Sequence, residues 1–538
     1  MSLNKTNIYT HIQKSYKKLK LSLVFLSFIS VILSLLAIFF AYFSKDVINA
    51  AIASNQNQFM LYAIIISSIL LFNLILTAIN RYLTAYYKSD LSKHLKSKYF
   101  DHILKAKTKP KTQEHSGVLM TYLESDIEII SNEVIDIIPK TLFYTTRFIG
   151  AFILLFVLDA LFSLIFVALG CLLVLMSRII AKPMKKKHLK LQLARSDARS
   201  FMQESIENID VIKSFQAEQR MSRLNIDKQE NLFKSKLQKE VLNILSSTGL
   251  SLFFAFGYAF SIIFGAYRLQ TGLTVGGLLA MIQLVSHIQS PFNGISRIIP
   301  KYADLSASAQ RLSILDQYEQ EKPYHQIDGK FQSLTIKDLS FSYEQDLVVD
   351  QLTLTIHNQE FIHILGKSGK GKSTLFKLLL GLIDPNDGHM SIKTDKKIYD
   401  ISNQTRSFMT YVPQNFLILS GTIRDNLNLF ETYDDKKIFK ALQIAELDTF
   451  IKALPLGLDT VLKEKGQGLS HGQIQRLAIA RSLLKPAPVL LLDEITSALD
   501  KEVEINILRN IKALTDKTVI ISSHKEIENE LITKTIEL

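Results

Sequence analysis

The first 300 residues contain six long, predominantly apolar stretches separated by polar segments. They cover residues 21–43, 59–79, 141–158, 161–181, 249–267 and 273–291, and only a tight turn around Asp159 separates the third from the fourth. Each stretch has about the length of a helix that crosses ~30 Å of hydrocarbon. The pattern predicts a helical membrane domain over residues 1–300, with six transmembrane helices.

The pattern changes after residue 300. A charged and polar segment, residues 301–330, is predicted to be a linker. From residue 331 to residue 538, short apolar runs alternate with polar segments. Such alternation is typical of a soluble α/β domain.

The net charge of +13 is concentrated beside the apolar stretches. Lysines cluster before the first stretch and after the second and fourth, whereas the short alternate connections carry only Lys45, Asp46, Asp159 and Arg268. Positively charged loops remain in the cytoplasm. We therefore expect a multi-pass protein of the cell membrane with a cytoplasmic N-terminus and α/β domain. A basic chain can also bind nucleic acid, but this distribution favours lipid as the partner and no nucleic acid.

The two longer cytoplasmic connections have about 60 residues each and repeat apolar residues at helical spacing. They are predicted to extend the spans as helices below the membrane. Cys171 is the single cysteine, so no intrachain disulfide or cysteine metal cluster is expected, nor a thiol-protease domain that trims leader peptides. The first apolar stretch does not resemble a cleavable signal peptide.

Arg147 places a full charge inside the third predicted span. Charged residues in membrane segments often mark a substrate path. The side chain can instead extend to the cytoplasmic interface, where its charge is solvated. The sequence favours the second alternative and leaves the role of Arg147 open.

The stretch FIHILGKSGKGKSTLFKLLLGL predicts a strand, a glycine-rich loop and a helix. The loop fits the pattern G-x-x-x-x-G-K-[ST], in which backbone N–H groups surround phosphates, the lysine neutralises them and the hydroxyl binds Mg²⁺. The predicted ATP-binding residues here are Gly366, Lys367, Ser368, Gly369, Lys370, Gly371, Lys372, Ser373 and Thr374.

A second motif, PVLLLDEITSALD, begins with four apolar residues that predict a buried parallel strand. Asp493 follows at the carboxyl end of the strand, where it is placed to hold Mg²⁺ through water. Glu494 is then the candidate general base or water-orienting residue. The structural alternative, a pair of helix-capping carboxylates, is disfavoured by the phosphate loop.

The stretches FSYEQ, YVPQNFLILSGTIRDNL, LSHGQ, SALD and ISSHK complete an ordered set of motifs. With them the C-terminal half resembles the nucleotide-binding domain of ABC transporters. Nearly the whole chain resembles a bacterial half-size ABC exporter of type I, with six membrane helices fused in front of an α/β P-loop domain that carries antiparallel additions. The stretches SGVLMTYLESDIE and ESIENIDVIKSF resemble the family's two cytoplasmic coupling regions.

The resemblance implies a role for several further residues. Tyr343 is expected to stack on adenine, and Gln414 to act in coupling, catalysis and metal binding. Ser470, Gly472 and Gln473 are expected to close over the ATP of the opposite subunit. Asp500 is the expected dimer contact, and His524 the expected sensor of the γ-phosphate.

The chain departs from the family pattern at two positions. Lys463 replaces a usual glycine in DTVLKEKGQGLS, a stretch that resembles the loop of exporters before the signature. His471 stands in LSHGQ where a glycine is usual. Glycine supplies freedom of φ, and histidine is among the side chains that tolerate positive φ better than most. We therefore expect a penalty of about 1 kcal/mol or less and a working site.

The resemblance implies ATP-driven, Mg²⁺-dependent export by alternating access. Each composite ATP site needs a phosphate loop and a signature from different subunits, so a homodimer is expected, and a heterodimer with another half-transporter is the alternative. A small peptide such as a bacteriocin, or an amphipathic drug, is favoured as substrate. A lipid flippase and a membrane ATPase that regulates without transport remain alternatives.

ABC ATPases also act in DNA repair and translation. The six predicted spans and their positive flanks argue against that class.

Overall fold

We describe the chain from a computed structural model. It describes residues 16–107, 116–323, 327–343, 346–367, 369–463, 466–495, 499–524 and 526–538, with some helical side chains left out, chiefly at positions 169–182. Two compact units result. The first comprises Met1–Tyr99 and Met120–Ile314, and the second comprises Phe100–Leu119 and Leu315–Leu538.

Long helices form the first unit. They are α1 (Leu19–Ile52), α2 (Gln56–Leu104, which continues into the second unit), α4 (Ile127–Leu158), α5 (Ala160–Glu207), α7 (Glu218–Leu269) and α8 (Val275–Leu315). Shorter elements are α3 (Ser116–Thr121), a π-helical turn (Tyr122–Asp126) and α6 (Ile209–Ser214). The long helices extend well beyond the apolar stretches, and α8 continues through the first half of the predicted linker.

Among the described residues, four helices are long and apolar enough to cross a membrane: Leu19–Ile52, Gln56–Leu104, Gly117–Leu158 and Glu218–Leu269. The fourth and sixth predicted spans lie on α5 and α8, where several side chains are not described.

Close helix contacts determine the packing of this unit. A cluster that includes Phe162, Phe166 and Met281 forms its apolar core, and the Phe162 ring stacks on Phe260 at 5.6 Å. Gly276 at the start of α8 approaches α1 so closely that a Cβ atom there would overlap the Lys45 carbonyl oxygen. Glycine is therefore required for this contact.

Asp159 forms the turn between α4 and α5. Its backbone is extended, and its carboxylate accepts a hydrogen bond from the Phe162 N–H at 2.9 Å, which caps α5. Arg268, at the end of α7, donates from Nε to the same carboxylate at 2.6 Å. One buried carboxylate thus links the turn between α4 and α5 to the end of α7, at two of the short connections that carry few charges.

Two sheets form the second unit. In the parallel sheet the strand order is β11 (Lys534–Glu537), β3 (Phe361–Leu365), β10 (Thr518–Ser523), β9 (Val489–Asp493) and β6 (Met409–Val412). In the antiparallel sheet the order is β2 (Asp346–His357), β1 (Phe331–Tyr343), β4 (Asp387–Thr394) and β5 (Ile398–Asp400). The predicted α/β domain with antiparallel additions is confirmed.

The remaining elements surround these sheets. The helices are α9 (Lys372–Leu379), α10 (Ile423–Leu427), α11 (Asp435–Ile444), α12 (Asp448–Ala453), α13 (His471–Leu484) and α14 (Lys501–Lys512), with 3₁₀ turns at Gln404–Phe408, Gly457–Asp459 and Asn529–Leu531. Strands β7 (Gly421–Thr422) and β8 (Val461–Leu462) pair antiparallel.

The parallel sheet separates two apolar cores because successive side chains of a strand point to opposite faces. On β9, Leu490 and Leu492 join one cluster, whereas Val489 and Leu491 join the other. Every residue of this strand is buried, as its apolar sequence predicts for a central parallel strand.

The segment after α8 pairs with the end of α2. Lys107 donates its backbone N–H to the Glu319 carbonyl at 2.7 Å, and Glu321 donates its own to the Lys105 carbonyl at 2.9 Å. The Glu321 carboxylate also receives two guanidinium hydrogen bonds from Arg406, at 2.6 and 2.8 Å. The second half of the predicted linker is therefore bound to the α/β unit.

Candidate functional site

The glycine-rich loop lies between β3 and α9, as its sequence predicts. Gly369 and Gly371 have φ values of 84° and 90°, which few other residues adopt. A Cβ atom on Gly371 would also lie 2.8 Å from the Val348 carbonyl oxygen. Glycine is thus required at position 371 for both reasons. Ser368 lies outside the described residues.

Lys372 is almost completely buried, with 3% of its surface exposed. Its ammonium donates to the carbonyl oxygens of Gly366, at 2.7 Å, and Lys367, at 3.2 Å. It also lies 3.1 Å from Oε1 of Glu494. Ser373 and Thr374 follow in the first turn of α9. The lysine therefore already lies within the loop where phosphates are predicted to bind.

Asp493 ends β9 and is 1% exposed. It accepts hydrogen bonds from the hydroxyl groups of Ser522, at 2.7 Å, and Tyr411, at 3.1 Å. Burial and the nearby Asp493 carboxylate raise the pKa of Tyr411, so this phenol remains a donor. Both partners are uncharged, and the described residues place no lysine or arginine within 4.0 Å of Asp493.

Glu494 lies where the predicted catalytic residues meet. Its backbone has a φ of 50°, in the left-handed region, and its N–H group donates to the Ser522 carbonyl at 3.1 Å. Oε2 accepts a hydrogen bond from Nε2 of Gln414 at 2.7 Å, while Oε1 faces Lys372. The structure therefore brings Lys372, Gln414 and Glu494 together.

The other predicted residues occupy the ends of neighbouring elements. Exposed His524 directly follows β10, and exposed Asp500 precedes α14. Half-buried Tyr343 ends β1, with its ring 4.9 Å from that of Phe341.

Three supporting residues were missed at the sequence level. Ser522 and Tyr411 hold Asp493, as described above. His363, in the middle of β3, is buried and hydrogen-bonds the Ser523 hydroxyl at 2.9 Å, next to His524. Burial lowers the pKa of His363, so the ring is neutral near pH 7. Tyr411 and Ser522 lie within the quoted stretches YVPQNFLILSGTIRDNL and ISSHK, but only the strand order shows that they meet Asp493.

The signature stretch begins α13 with a capping box. The Ser470 hydroxyl accepts from the Gln473 N–H at 3.3 Å, and the Gln473 side chain accepts from the Ser470 N–H at 2.8 Å. These reciprocal bonds satisfy two groups at the helix start. Gly472 lies in the same first turn, and these three residues are thus held at the N-terminus of one helix.

His471 is the first residue of α13, so its backbone is helical and is not among the positive-φ residues of the described chain. The expected conformational penalty for histidine does not arise in this structure. The imidazole instead packs edge-on against Phe416, with 5.8 Å between ring centroids. Phe416 lies two residues after Gln414, so histidine adds a contact between the signature helix and the Gln414 loop.

A second contact joins the same two segments. Buried Arg481, in the last turn of α13, donates to the Leu417 carbonyl at 2.7 Å. The loop before the signature is described only up to Lys463 and again from Gly466, which has a φ of 75°.

Family models match both units. The model of the ABC transporter transmembrane region matches residues 23–292, and the ABC transporter model matches residues 349–497. The chain belongs to the ABC transporter family. It is a half-size ABC exporter with a fused membrane domain, as the sequence predicted, and its ATPase activity is coupled to transport.

Curated relatives include exporters of different kinds. The ATP-dependent lipid A-core flippase of Alcanivorax borkumensis is 30% identical over 80% of this chain and 75% of its own length. The Alpha-hemolysin translocation ATP-binding protein HlyB of Escherichia coli is 28% identical over 92% of this chain and 71% of its own length.

A further relative, the Lactococcin-G-processing and transport ATP-binding protein of Lactococcus lactis, is 31% identical over 62% of this chain and 48% of its own.

A solved bacterial Atm1-family ABC exporter with ATP bound has the same fold. The TM-score is 0.78 and the sequence identity is 21%, over 95% of this chain and 91% of the other. ATP-driven export, ATP binding, a multi-pass membrane domain and membership of a family that functions as dimers are thus established for this ABC exporter.

We expect Glu494→Gln to bind ATP and to hydrolyse it at no more than a few per cent of the wild-type rate. The amide preserves the size of the side chain but cannot act as a base. ATPase activity of the purified protein and binding of a fluorescent ATP analogue provide the two measurements.

Lys372→Ala serves as the control, because it removes the buried cation and should lose nucleotide binding itself. Substantial turnover by Glu494→Gln would show that another group is the base.

His471→Gly should change the ATPase rate by less than about tenfold, or ~1.4 kcal/mol of activation free energy. The helical backbone at position 471 accepts either residue, and the glycine variant loses only the contact with Phe416. Initial rates over a range of ATP concentrations measure the change. An inactive wild-type homodimer that this substitution activates would instead indicate a degenerate site.

Proposed function

We propose that this ABC exporter moves a small peptide or amphipathic molecule out of the cytoplasm as a homodimer, with Mg²⁺-ATP as the energy source. The observation that carries the proposal is the combination in one chain of an exporter-type membrane unit with a site in which Lys372, Gln414 and Glu494 meet. A heterodimer with a second half-transporter is the alternative assembly.

The phosphate loop provides the binding half of the site. The loop leads into the N-terminus of α9, where backbone N–H groups and the helix dipole favour an anion, and Lys372 adds a positive charge there. Glu494 lies 3.1 Å from that charge and pairs with it. A triphosphate competes with Glu494 for Lys372, because phosphate oxygens are stronger partners for a buried ammonium.

The carboxylate released in this way is the proposed base. Glu494 is half-buried and remains hydrogen-bonded to Gln414 at 2.7 Å, which orients it. A water molecule held beside Glu494 can transfer a proton to Oε1 as its oxygen attacks the terminal phosphorus, while the bond from that phosphorus to the β-phosphate bridging oxygen breaks and ADP leaves. His524, at the end of the neighbouring strand β10, is the proposed sensor of that phosphate.

The metal-binding residues fit Mg²⁺, which prefers oxygen ligands. We assign Asp493, the Ser373 hydroxyl and the side-chain oxygen of Gln414 to this role. Within the described part of the chain, the side chains that hydrogen-bond the Asp493 carboxylate are hydroxyl groups, so its negative charge is available to a cation. Bound Mg²⁺ supplies charge neutralisation at the β- and γ-phosphates.

The signature residues are proposed to act on the partner subunit's ATP. Ser470, Gly472 and Gln473 lie at the N-terminus of a 14-residue helix, which favours an anion through its dipole and N–H groups. Asp500 is the proposed dimer contact and Tyr343 the proposed adenine-stacking residue. Two chains provide two complete sites.

The relatives support more than one substrate class. Two of them are named for the export of protein or peptide toxins, and another is named for flipping a lipid. We favour a peptide-like or amphipathic substrate, with lipid flipping as the second candidate. The protein is proposed to lie in the cytoplasmic membrane. The distribution of lysines supports an orientation in which the N-terminus and the ATPase unit are on the cytoplasmic side.

Inside-out vesicles that contain the protein should accumulate a transported compound when ATP is added. The panel comprises labelled hydrophobic peptides, amphipathic dyes and a fluorescent phospholipid, and uptake is measured with ATP and with a non-hydrolysable analogue. Stimulation of ATPase activity by the same compound links transport to hydrolysis.

Vesicles with Glu494→Gln form the matched control and should show no uptake. ATP hydrolysis by the wild type without uptake of any compound would favour a regulatory ATPase over an exporter.

A further inference from the structure

Arg147 lies deep within an apolar helix of the membrane unit. It is six residues inside the third predicted span, or about 9 Å along α4. The guanidinium contacts a histidine ring and a phenylalanine ring. Its Nε and Nη2 atoms lie 3.2 and 2.8 Å from Nδ1 of His287 on α8, and its central carbon lies 5.4 Å from the Phe143 ring.

These contacts determine the protonation of His287. Arginine can only donate, so Nδ1 of His287 must be the acceptor and the proton of the neutral ring lies on Nε2. A hydrogen bond also joins this ring to the backbone of Ala37 on α1, which leaves Nε2–H as its donor. The imidazole thus connects three helices, but it contributes no negative charge.

The described part of the chain therefore provides no counter-charge for Arg147. No carboxylate lies within 4.0 Å of it among the described residues, and none of the six predicted spans contains Asp or Glu. Arginine retains its charge in proteins, and a cation among apolar helices is costly. A hydrogen bond between helices does not require a charge, because an uncharged amide side chain could donate it at a lower desolvation free energy.

Two further polar atoms are unsatisfied near this point. Gln283 lies one turn from His287 on the same face of α8, and Ser34 lies one turn from Ala37 on the same face of α1. The Gln283 Oε1 atom and the Ser34 hydroxyl are buried and have no hydrogen-bond partner among the described residues. The cation and these two polar atoms thus lie on the three helices that the contacts of His287 connect.

We propose that Arg147, positioned by His287, is a binding subsite for an anionic group of the transported molecule, a carboxylate or a phosphate. The planar guanidinium binds both anions through paired N–H groups. Gln283 and Ser34 provide polar partners for uncharged parts of the same ligand. The inference deepens the proposed export function, and rests on it for the identification of the ligand as the transported molecule.

Phe143 offers a position for a reporter. The chain contains no tryptophan, so Phe143→Trp introduces a single indole beside the guanidinium. We titrate the fluorescence of this full-length variant, in lipid nanodiscs without nucleotide, with N-dodecanoylglycine and with its uncharged amide. Binding is thereby measured without hydrolysis or transport, so a failure of the export proposal is distinguishable from a failure of this one.

We expect the acid to bind with a Kd at least about tenfold lower than that of the amide, a difference of ~1.4 kcal/mol. Adding Arg147→Gln should abolish the preference, while Arg147→Lys should retain part of it because the charge remains. Arg199→Gln is the matched control, since it removes an exposed arginine outside the predicted spans and should leave the preference intact.

Dodecyl phosphate and dodecanol form a second pair, which distinguishes a lipid-type phosphate from a peptide-type carboxylate. A preference for the anion in either pair that disappears with Arg147→Gln supports the subsite. Equal affinities within both pairs, or a preference that survives Arg147→Gln, overturn it. If Arg147→Gln does not fold, two other results test the subsite. Equal binding of acid and amide by Phe143→Trp, or a preference for the acid that Arg147→Lys leaves unchanged, would also overturn the subsite.

Discussion

The contact between Lys372 and Glu494 connects the two chemical halves of the ATP site. One residue belongs to the phosphate loop after β3 and the other follows β9, and only 3.1 Å separates their charged atoms. Gln414, after β6, donates to the same carboxylate at 2.7 Å. The two charges balance each other, and a buried ammonium without a partner would be costly. We therefore expect ATP binding to change the environment of Glu494, the proposed base, as well as that of the lysine.

This contact depends on the order of the parallel strands. Strands β3, β10, β9 and β6 are neighbours, so their carboxyl ends lie along one edge of the sheet. Ser522 on β10 and Tyr411 on β6 can therefore both donate to Asp493 between them. The apolar clusters on the two faces of the sheet hold this edge in place. Packing of side chains far from the site thus determines its geometry.

Two arginines of the membrane unit, Arg268 and Arg147, have partners of opposite kinds, one charged and one neutral. Arg268 forms an ion pair with Asp159 at 2.6 Å, so its charge is neutralised while the carboxylate also caps a helix. Arg147 has the neutral ring of His287 as its hydrogen-bond partner. A neutralised pair stabilises a fixed arrangement of helices, whereas an arginine without a counter-charge remains able to bind an anion. The difference lies in the partner and not in the arginine itself.

The sequence by itself determined the family, the α/β fold and the order of the motifs, because apolar periodicity and glycine-rich loops are local properties of the chain. It did not determine which side chains meet. The helical conformation of His471 and its contact with Phe416 depend on the packing of α13, and the partner of Arg147 depends on the pairing of α4 with α8. The supporting residues Ser522, Tyr411 and His363 come from separate strands. Such contacts join positions distant in the chain, and only the packing of the folded domains selects them.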